Sequence, residues 1–235
     1  MTDIWTYLAS SPLLGLTLTL AAYQCGLWIY HKSNMNALLN PVLIAISIIV
    51  TILLMMDVDY GGYFQGAQYI HFLLGPATVA LAVPLYQQFQ KVKASFGIIL
   101  VALLCGSMTA IFSAIGIARL FGASKVTLLS LAPKSVTTPI AMGISEMTGG
   151  IASLTAVFVI LTGILGATLG PGLLNALNIT DWRARGLAMG TASHGIGTAR
   201  ALHVNAVAGA FSSLAMGLNG LITAVLLPIL VSLIW

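Results

Sequence analysis

The chain has 235 residues, of which 59% are hydrophobic and only 6% charged, with a formal net charge of +4. A soluble domain carries about 25% charged residues, and at a mean hydropathy of +1.03 no water-solvated core of this length could hide the apolar surface. The composition therefore excludes a soluble fold and makes the bilayer the solvent, while a positive charge this small and dispersed excludes a nucleic-acid binder.

A transmembrane helix takes about 20 apolar residues, which leaves room for about seven or eight membrane segments joined by short loops. The fold class expected is an all-α, polytopic helical bundle, one membrane domain over residues 1–235. The chain opens Met1-Thr2-Asp3-Ile4-Trp5, without the basic stretch of a cleaved signal peptide, so the first apolar run, 13–30, is expected as a retained helix. It ends at His31-Lys32-Ser33-Asn34. A second run extends from about Pro41 to Met56 and is closed by Asp57, Asp59 and Gly61-Gly62. A third covers about 70–89, interrupted by Gly75-Pro76 and Pro84, with His71 near a membrane boundary and Lys91 and Lys93 following. A fourth covers about 95–118 and ends at Arg119. Cys25 and Cys105 lie inside apolar runs and read as small buried packing residues rather than a disulfide.

The segment 126–145 differs from these, with Pro133, Pro139, Lys134 and several hydroxyls among its apolar residues. A smooth run at about 151–169 follows, then the polar loop Asn178–Arg185, then Gly186–Leu202, rich in Gly, Thr, Ser and His. The last run is about 206–234. Trp5, Trp28, Trp182 and Trp235 stand near segment ends, as interfacial anchors do.

Charge asymmetry orients the chain. With the N-terminus outside, and with 126–145 and 186–202 each entering and leaving from one side, Lys32, Lys91, Lys93, Arg183, Arg185 and Arg200 fall inside against Asp181. Arg119 and Lys125 fall outside with Asp3, Asp57, Asp59 and Glu146. The two polar segments are thus expected as broken or re-entrant elements from opposite faces. Pro76-Ala-Thr-Val-Ala-Leu also resembles Pro133-Lys-Ser-Val-Thr-Thr, the kind of paired interruption that marks an inverted repeat in transporters, with Pro76, Pro133 and Pro139 as the structural breaks.

Lys134 is the first residue that carries chemistry. A lysine mid-membrane costs about 2.5–3.5 kcal/mol on insertion scales, so it is paired or faces a water-filled path. Its neighbours Pro133 and Pro139 bar the helix ladder, and backbone groups freed at depth are tolerated only in protein or along a cavity. Exposed half-helix N-termini attract anions. Lys134 with Ser135, Thr137 and Thr138 thus forms a candidate site for a small carboxylate; the alternative is a lysine that snorkels or pairs with Glu146 or Asp57.

The second constellation is Thr191-Ala-Ser193-His194-Gly-Ile-Gly197-Thr198-Ala-Arg200. In a regular helix His194 and Thr198 share a face, and the small residues admit a neighbouring backbone. His194 titrates near neutral pH, which makes it a candidate for proton coupling, against the alternative of an interhelical hydrogen bond. Ser193 and His194 diverge on a helix and make no catalytic dyad. No Gly-x-Ser-x-Gly, His-Glu-x-x-His or Gly-Lys-Ser/Thr motif occurs, so an enzyme is not expected, nor is a cofactor or a metal. Ser212, Ser213 and Asn219, with Gly217 and Gly220, read as close packing and interhelical hydrogen bonding, with lining of the site as a second role.

Ser130-Leu-Ala-Pro-Lys-Ser-Val-Thr-Thr-Pro-Ile-Ala-Met142 and Arg185-Gly-Leu-Ala-Met-Gly-Thr-Ala-Ser-His-Gly-Ile-Gly-Thr-Ala-Arg200 resemble the signatures of the LrgB/CidB membrane proteins. Leu39-Asn-Pro-Val-Leu, Pro84-Leu-Tyr-Gln-Gln-Phe and Ser212-Ser-Leu-Ala-Met216 fit as well, so the resemblance spans nearly the whole chain. It implies one of two activities. Bacterial relatives are named as modulators of murein hydrolase activity and lysis, likened to holin–antiholin systems and acting with a small LrgA/CidA-type membrane partner. Plastid relatives look like glycolate and glycerate carriers, and some bacterial systems are linked to pyruvate or lactate. A holin needs neither a lysine in a proline-broken segment nor opposed re-entrant elements. The expectation is therefore a transporter of small organic acid anions, proton-coupled through His194, in a bacterial inner membrane. Lys134 attracts the carboxylate; Ser135, Thr137 and Thr138 bond it; Ser193, His194, Thr198 and Arg200 complete the site or the coupling path. The partners expected are the small LrgA/CidA-type protein, a second copy of the chain, lipid and the carboxylate. The alternative is a holin-like regulator of autolysis.

Overall fold

The computed structural model describes residues 12–33, 39–80 and 82–234. Those residues are helical and contain no strand. The chain divides into two compact units, residues 1–80 and 81–235. Trp5 and Trp235, the Asn34 helix end and the side chain of His71 lie outside the described residues.

The first unit holds α1 (Pro12–Lys32), α2 (Pro41–Met55) and α3 (Tyr60–Ala80). Asn40 caps α2, its side chain accepting from the Val42 N–H at 2.8 Å, with Pro41 in the first turn where its missing N–H costs nothing. Small residues bring the three helices close: Gly15 lies against the Tyr63 carbonyl and Gly26 against Pro41, around a core of Ala22, Ala45 and Ile49. The Thr19 and Tyr63 hydroxyls share a hydrogen bond of 2.7 Å. Two sequence expectations differ here. The third helix begins already at Tyr60 rather than near residue 70, because Asp59 accepts the Gly61 N–H at 2.8 Å and starts the helix through the glycine pair. Pro76 does not interrupt it; the helix runs through Pro76 to Ala80.

The second unit holds two short helices, α4 (Ala82–Gln87) and α5 (Phe89–Ala94), then α6 (Phe96–Leu120), α7 (Lys125–Leu131), α8 (Thr138–Thr148), α9 (Ala152–Ala176), α10 (Trp182–Val204) and α11 (Ala206–Ile234). Ser124 caps α7, accepting from the Thr127 N–H. Gly149, at φ 89°, closes α8 in the left-handed conformation a glycine adopts without penalty. Asp181 caps α10, accepting from the Arg183 N–H at 2.8 Å, and pairs with the Arg183 side chain at 2.6 Å. That side-chain hydrogen bond holds the exposed Asp181 carboxyl below its ordinary range, so the cap outlasts the usual carboxylate titration as pH falls. Asn205 caps α11 through the Val207 and Ala208 N–H groups.

α10 and α11 pack most closely, Gly186 against the Ala208 carbonyl and Gly190 against that of Ser212. Ile99, Leu103, Phe211 and Ala215 form one apolar cluster and Ile111, Ile144 and Leu227 another. The side chains that face outward are large and apolar, with Leu120 88% and Leu221 67% exposed, a surface that water would not tolerate and lipid does. Among the described residues four helices are long and apolar enough to cross a bilayer: Leu13–Lys32, Phe96–Leu120, Ala152–Ala176 and Ala206–Ile234, with Pro41–Met55 shorter. Cys25 and Cys105 are exposed, contrary to the buried packing expected of them.

Candidate functional site

Two interruptions organise the second unit. The first separates α7 from α8. Ala132 ends α7, and a turn follows in which the Lys134 N–H donates to the Leu131 carbonyl at 3.0 Å and the Val136 N–H to that of Pro133 at 3.2 Å. Thr137 stands at the N-cap of α8, with Pro139 in its first turn. Pro133 is fully buried in the break.

The second interruption is a single residue. His194 has φ 41° and ψ −130° inside α10, which otherwise continues on both sides. A side-chain-bearing residue held there costs about 1–3 kcal/mol and persists only when packing over-determines it. The packing is visible on α9. His194 Nε2 meets the Val159 carbonyl at 2.9 Å; a carbonyl only accepts, so the ring proton sits on Nε2 and leaves Nδ1 as the other nitrogen. The ring lies over Gly163, where a Cβ would stand 2.7 Å from Cε1, and Ser193 fills the space over Gly166. The two glycines notch α9 to receive two consecutive side chains of the break.

Between these elements lies a cavity of about 790 Å³. Lys134, Ser135, Thr191 and Ser193 are polar members of its lining, with Thr109 and Thr162 added from α6 and α9; Leu165, Leu169, Leu173 and Met189 are among its apolar members. Cys105 also lines it. Lys134 is half-buried, and its ammonium donates to the Ser135 hydroxyl at 3.3 Å. Among the described residues no carboxylate stands within ion-pair distance of it; the ion pair present is Arg183–Asp181. The Ser193 hydroxyl is buried and has no hydrogen-bond partner. An ammonium without a counter-charge and the hydroxyl next to it can hold a small anion, one oxygen accepting from each, and Ser193 on the same cavity lining has a hydroxyl left unused. Among the described residues no three His, Cys, Asp or Glu side chains gather as metal ligands do.

The residues singled out in the sequence thus fall in different places. Lys134, Ser135 and Ser193 come together on the cavity. Thr137 and Thr138 begin α8, half-buried and off the cavity lining. His194 faces α9. Thr198 shares a 2.9 Å hydrogen bond with the Ser212 hydroxyl and joins α10 to α11; the non-helical His194 sends the two side chains to different helices rather than to one face. Arg200 lines a separate small pocket with Arg185 and Trp182. Thr109 and Thr162 were not singled out, and a lone threonine in a long apolar helix carries no signal. Asn219 makes interhelical hydrogen bonds, as expected: its amide donates to the carbonyls of Ser135 and Thr191, each at 3.2 Å.

Comparison with known proteins gives the chain its relatives. The family model for the LrgB-like family matches residues 19–233. The Holin-like protein CidB of Staphylococcus epidermidis is 39% identical, covering 94% of this chain and 96% of its own length. The protein of the same name in Staphylococcus aureus is 36% identical, over 95% and 97%. The Uncharacterized protein YwbG of Bacillus subtilis is 38% identical, over 94% and 97%. No solved structure matches. With its apolar helices and these relatives, the chain is a multi-pass membrane protein, and it belongs to the LrgB-like family.

Proposed function

We propose that this chain carries small organic acid anions of the pyruvate, lactate or glycolate type across a bacterial inner membrane, as one membrane domain with about seven or eight membrane segments. The interrupted segments α7–α8 and α10 enter from opposite faces and meet at the cavity. The observation that supports this most is the Lys134 ammonium, which faces the cavity with no carboxylate beside it. A buried charge without a partner is strongly destabilising, and a substrate carboxylate supplies the partner. Ser135 and Ser193 bond the bound anion, and the leucines of α9 receive its short carbon chain. His194, with Nε2 engaged by Val159, takes up or releases the coupled proton at Nδ1. No chemical transformation is assigned to the site.

A second reading is favoured by the names of the staphylococcal relatives, holin-like proteins. In it the chain regulates murein hydrolase activity and lysis through a small LrgA/CidA-type membrane partner. Reconstitution separates the two. The purified chain in liposomes should take up labelled pyruvate, lactate or glycolate saturably, faster with an inward proton gradient, and lose this in Lys134→Ala; His194→Ala should lose the gradient response. Absence of uptake with or without the small partner would remove the carrier reading and point to the regulatory one, and leakage of unrelated dyes would point to a pore.

A further inference from the structure

Breaking a helix frees carbonyls, and one carbonyl from each break, that of Ser135 and that of Thr191, accepts from the same side chain. The Ser135 carbonyl would receive its helical hydrogen bond from residue 139, which is a proline and has no N–H. The Thr191 carbonyl would receive its bond from Gly195, the residue just past the non-helical His194. Both carbonyls are served by one group. The Asn219 amide nitrogen, on α11, lies 3.2 Å from each. Asn219 is 1% exposed, so it spends its two N–H donors on these carbonyls in a place where no water competes. Its own oxygen has no partner. Neighbouring glycines let both segments approach: Gly220, next in sequence, has the Ile140 side chain of α8 within 2.9 Å of where a Cβ would stand, and Gly190 of α10 lies against the Ser212 carbonyl of α11.

We infer that Asn219 is a positioning residue that clasps the two helix breaks together, setting the distance between the Lys134 ammonium and the Ser193 hydroxyl. Lys134 immediately precedes one clasped carbonyl, and Ser193 follows the other by two residues. An anion bridging the two groups is bound well only when that span is fixed, so Asn219 acts on affinity through residues it does not itself resemble. The inference rests on the transport reading for its uptake readout but not for its distance readout.

The test uses the full chain in liposomes, with Cys25→Ser and Cys105→Ser, and spin labels at Thr137→Cys and Ala192→Cys, one beside each break. In this background Asn219 should give a narrow distance distribution. Asn219→Ala, with no donor, should broaden it, and Asn219→Ser, with one donor, should fall between. In the unlabelled chain, KM for pyruvate should rise about tenfold in Asn219→Ala and less in Asn219→Ser. Thr223→Ala removes a buried α6–α11 hydrogen bond, from Thr223 to Ser107 at 3.2 Å, and should lower thermal stability without changing the distance or KM. An unchanged distance distribution in Asn219→Ala, or an equal change in Thr223→Ala, overturns the inference. Should Asn219→Ala not fold, Asn219→Ser carries the same comparison. A donor-dependent distance without uptake by the parent chain would leave the clasp standing and remove the transport reading.

Discussion

The two helix breaks in the second unit differ in form and in cause: one is a turn between two helices, the other a single residue within one. The α7–α8 break has a local cause: Pro133 and Pro139 remove two ladder donors close together, where each of the helices that runs through a proline loses only one. The α10 break has no proline. Nothing between Trp182 and Val204 forbids a helix, and His194 takes φ 41° because α9 offers the Val159 carbonyl and the notch over Gly163 and Gly166. One break is written into its own segment and the other is imposed by a neighbour. The second should therefore be the more easily undone by changes elsewhere.

The largest expected effect lies at the local break. Lys134→Ala should reduce saturable uptake about a hundredfold or more, since it deletes the charge that a transported anion meets; loss of a charge-assisted hydrogen bond of about 3 kcal/mol sets that scale. Retention of full uptake would remove Lys134 from the site. Next, Gly166→Ala puts a methyl onto the Ser193 side chain. Overpacking of this kind costs about 1–3 kcal/mol, so about tenfold or more in KM, with a lowered Tm, should follow. A silent Gly166→Ala would mean the α10 break does not depend on α9. His194 tests the imposed conformation itself. His194→Gly and His194→Ala both lose the bond to Val159, but glycine accepts positive φ, so the glycine variant should be the more stable by about 1 kcal/mol in a thermal or denaturant scan. Equal stability would say that the backbone relaxes once the imidazole is gone. The smallest effect is at Thr198→Ala, which should cost about 1 kcal/mol of stability by loss of the Ser212 bond and leave KM unchanged.

What was legible in the sequence follows the same division. The long apolar runs at 13–30, 95–118, 151–169 and 206–234 correspond to α1, α6, α9 and α11, because an apolar stretch of that length has one regular solution in lipid. Pro133 and Pro139 announce their break in the chain itself. The Pro76 interruption does not occur, since neighbouring packing can absorb one missing N–H within a helix. At the candidate site, Lys134, Ser135 and Ser193 are legible as polar groups too costly to place idly. Thr109 and Thr162 are not, because their part depends on which helix faces which. That Asn219 bonds between helices is legible, but which groups it meets is not, for the same reason: its partners stand 84 and 28 residues away. The conformation of His194 follows from α9, not from its own neighbours.

The position of Cys105 on the cavity wall has a practical consequence. The chain carries its own reporter. Once Cys25 is changed to serine, every thiol event belongs to one atom that shares a chamber with Lys134. The rate at which a small maleimide adds mass to the intact protein then counts vacant chambers. Graded protection by each organic acid would rank affinities without any flux being measured, in detergent or in lipid alike.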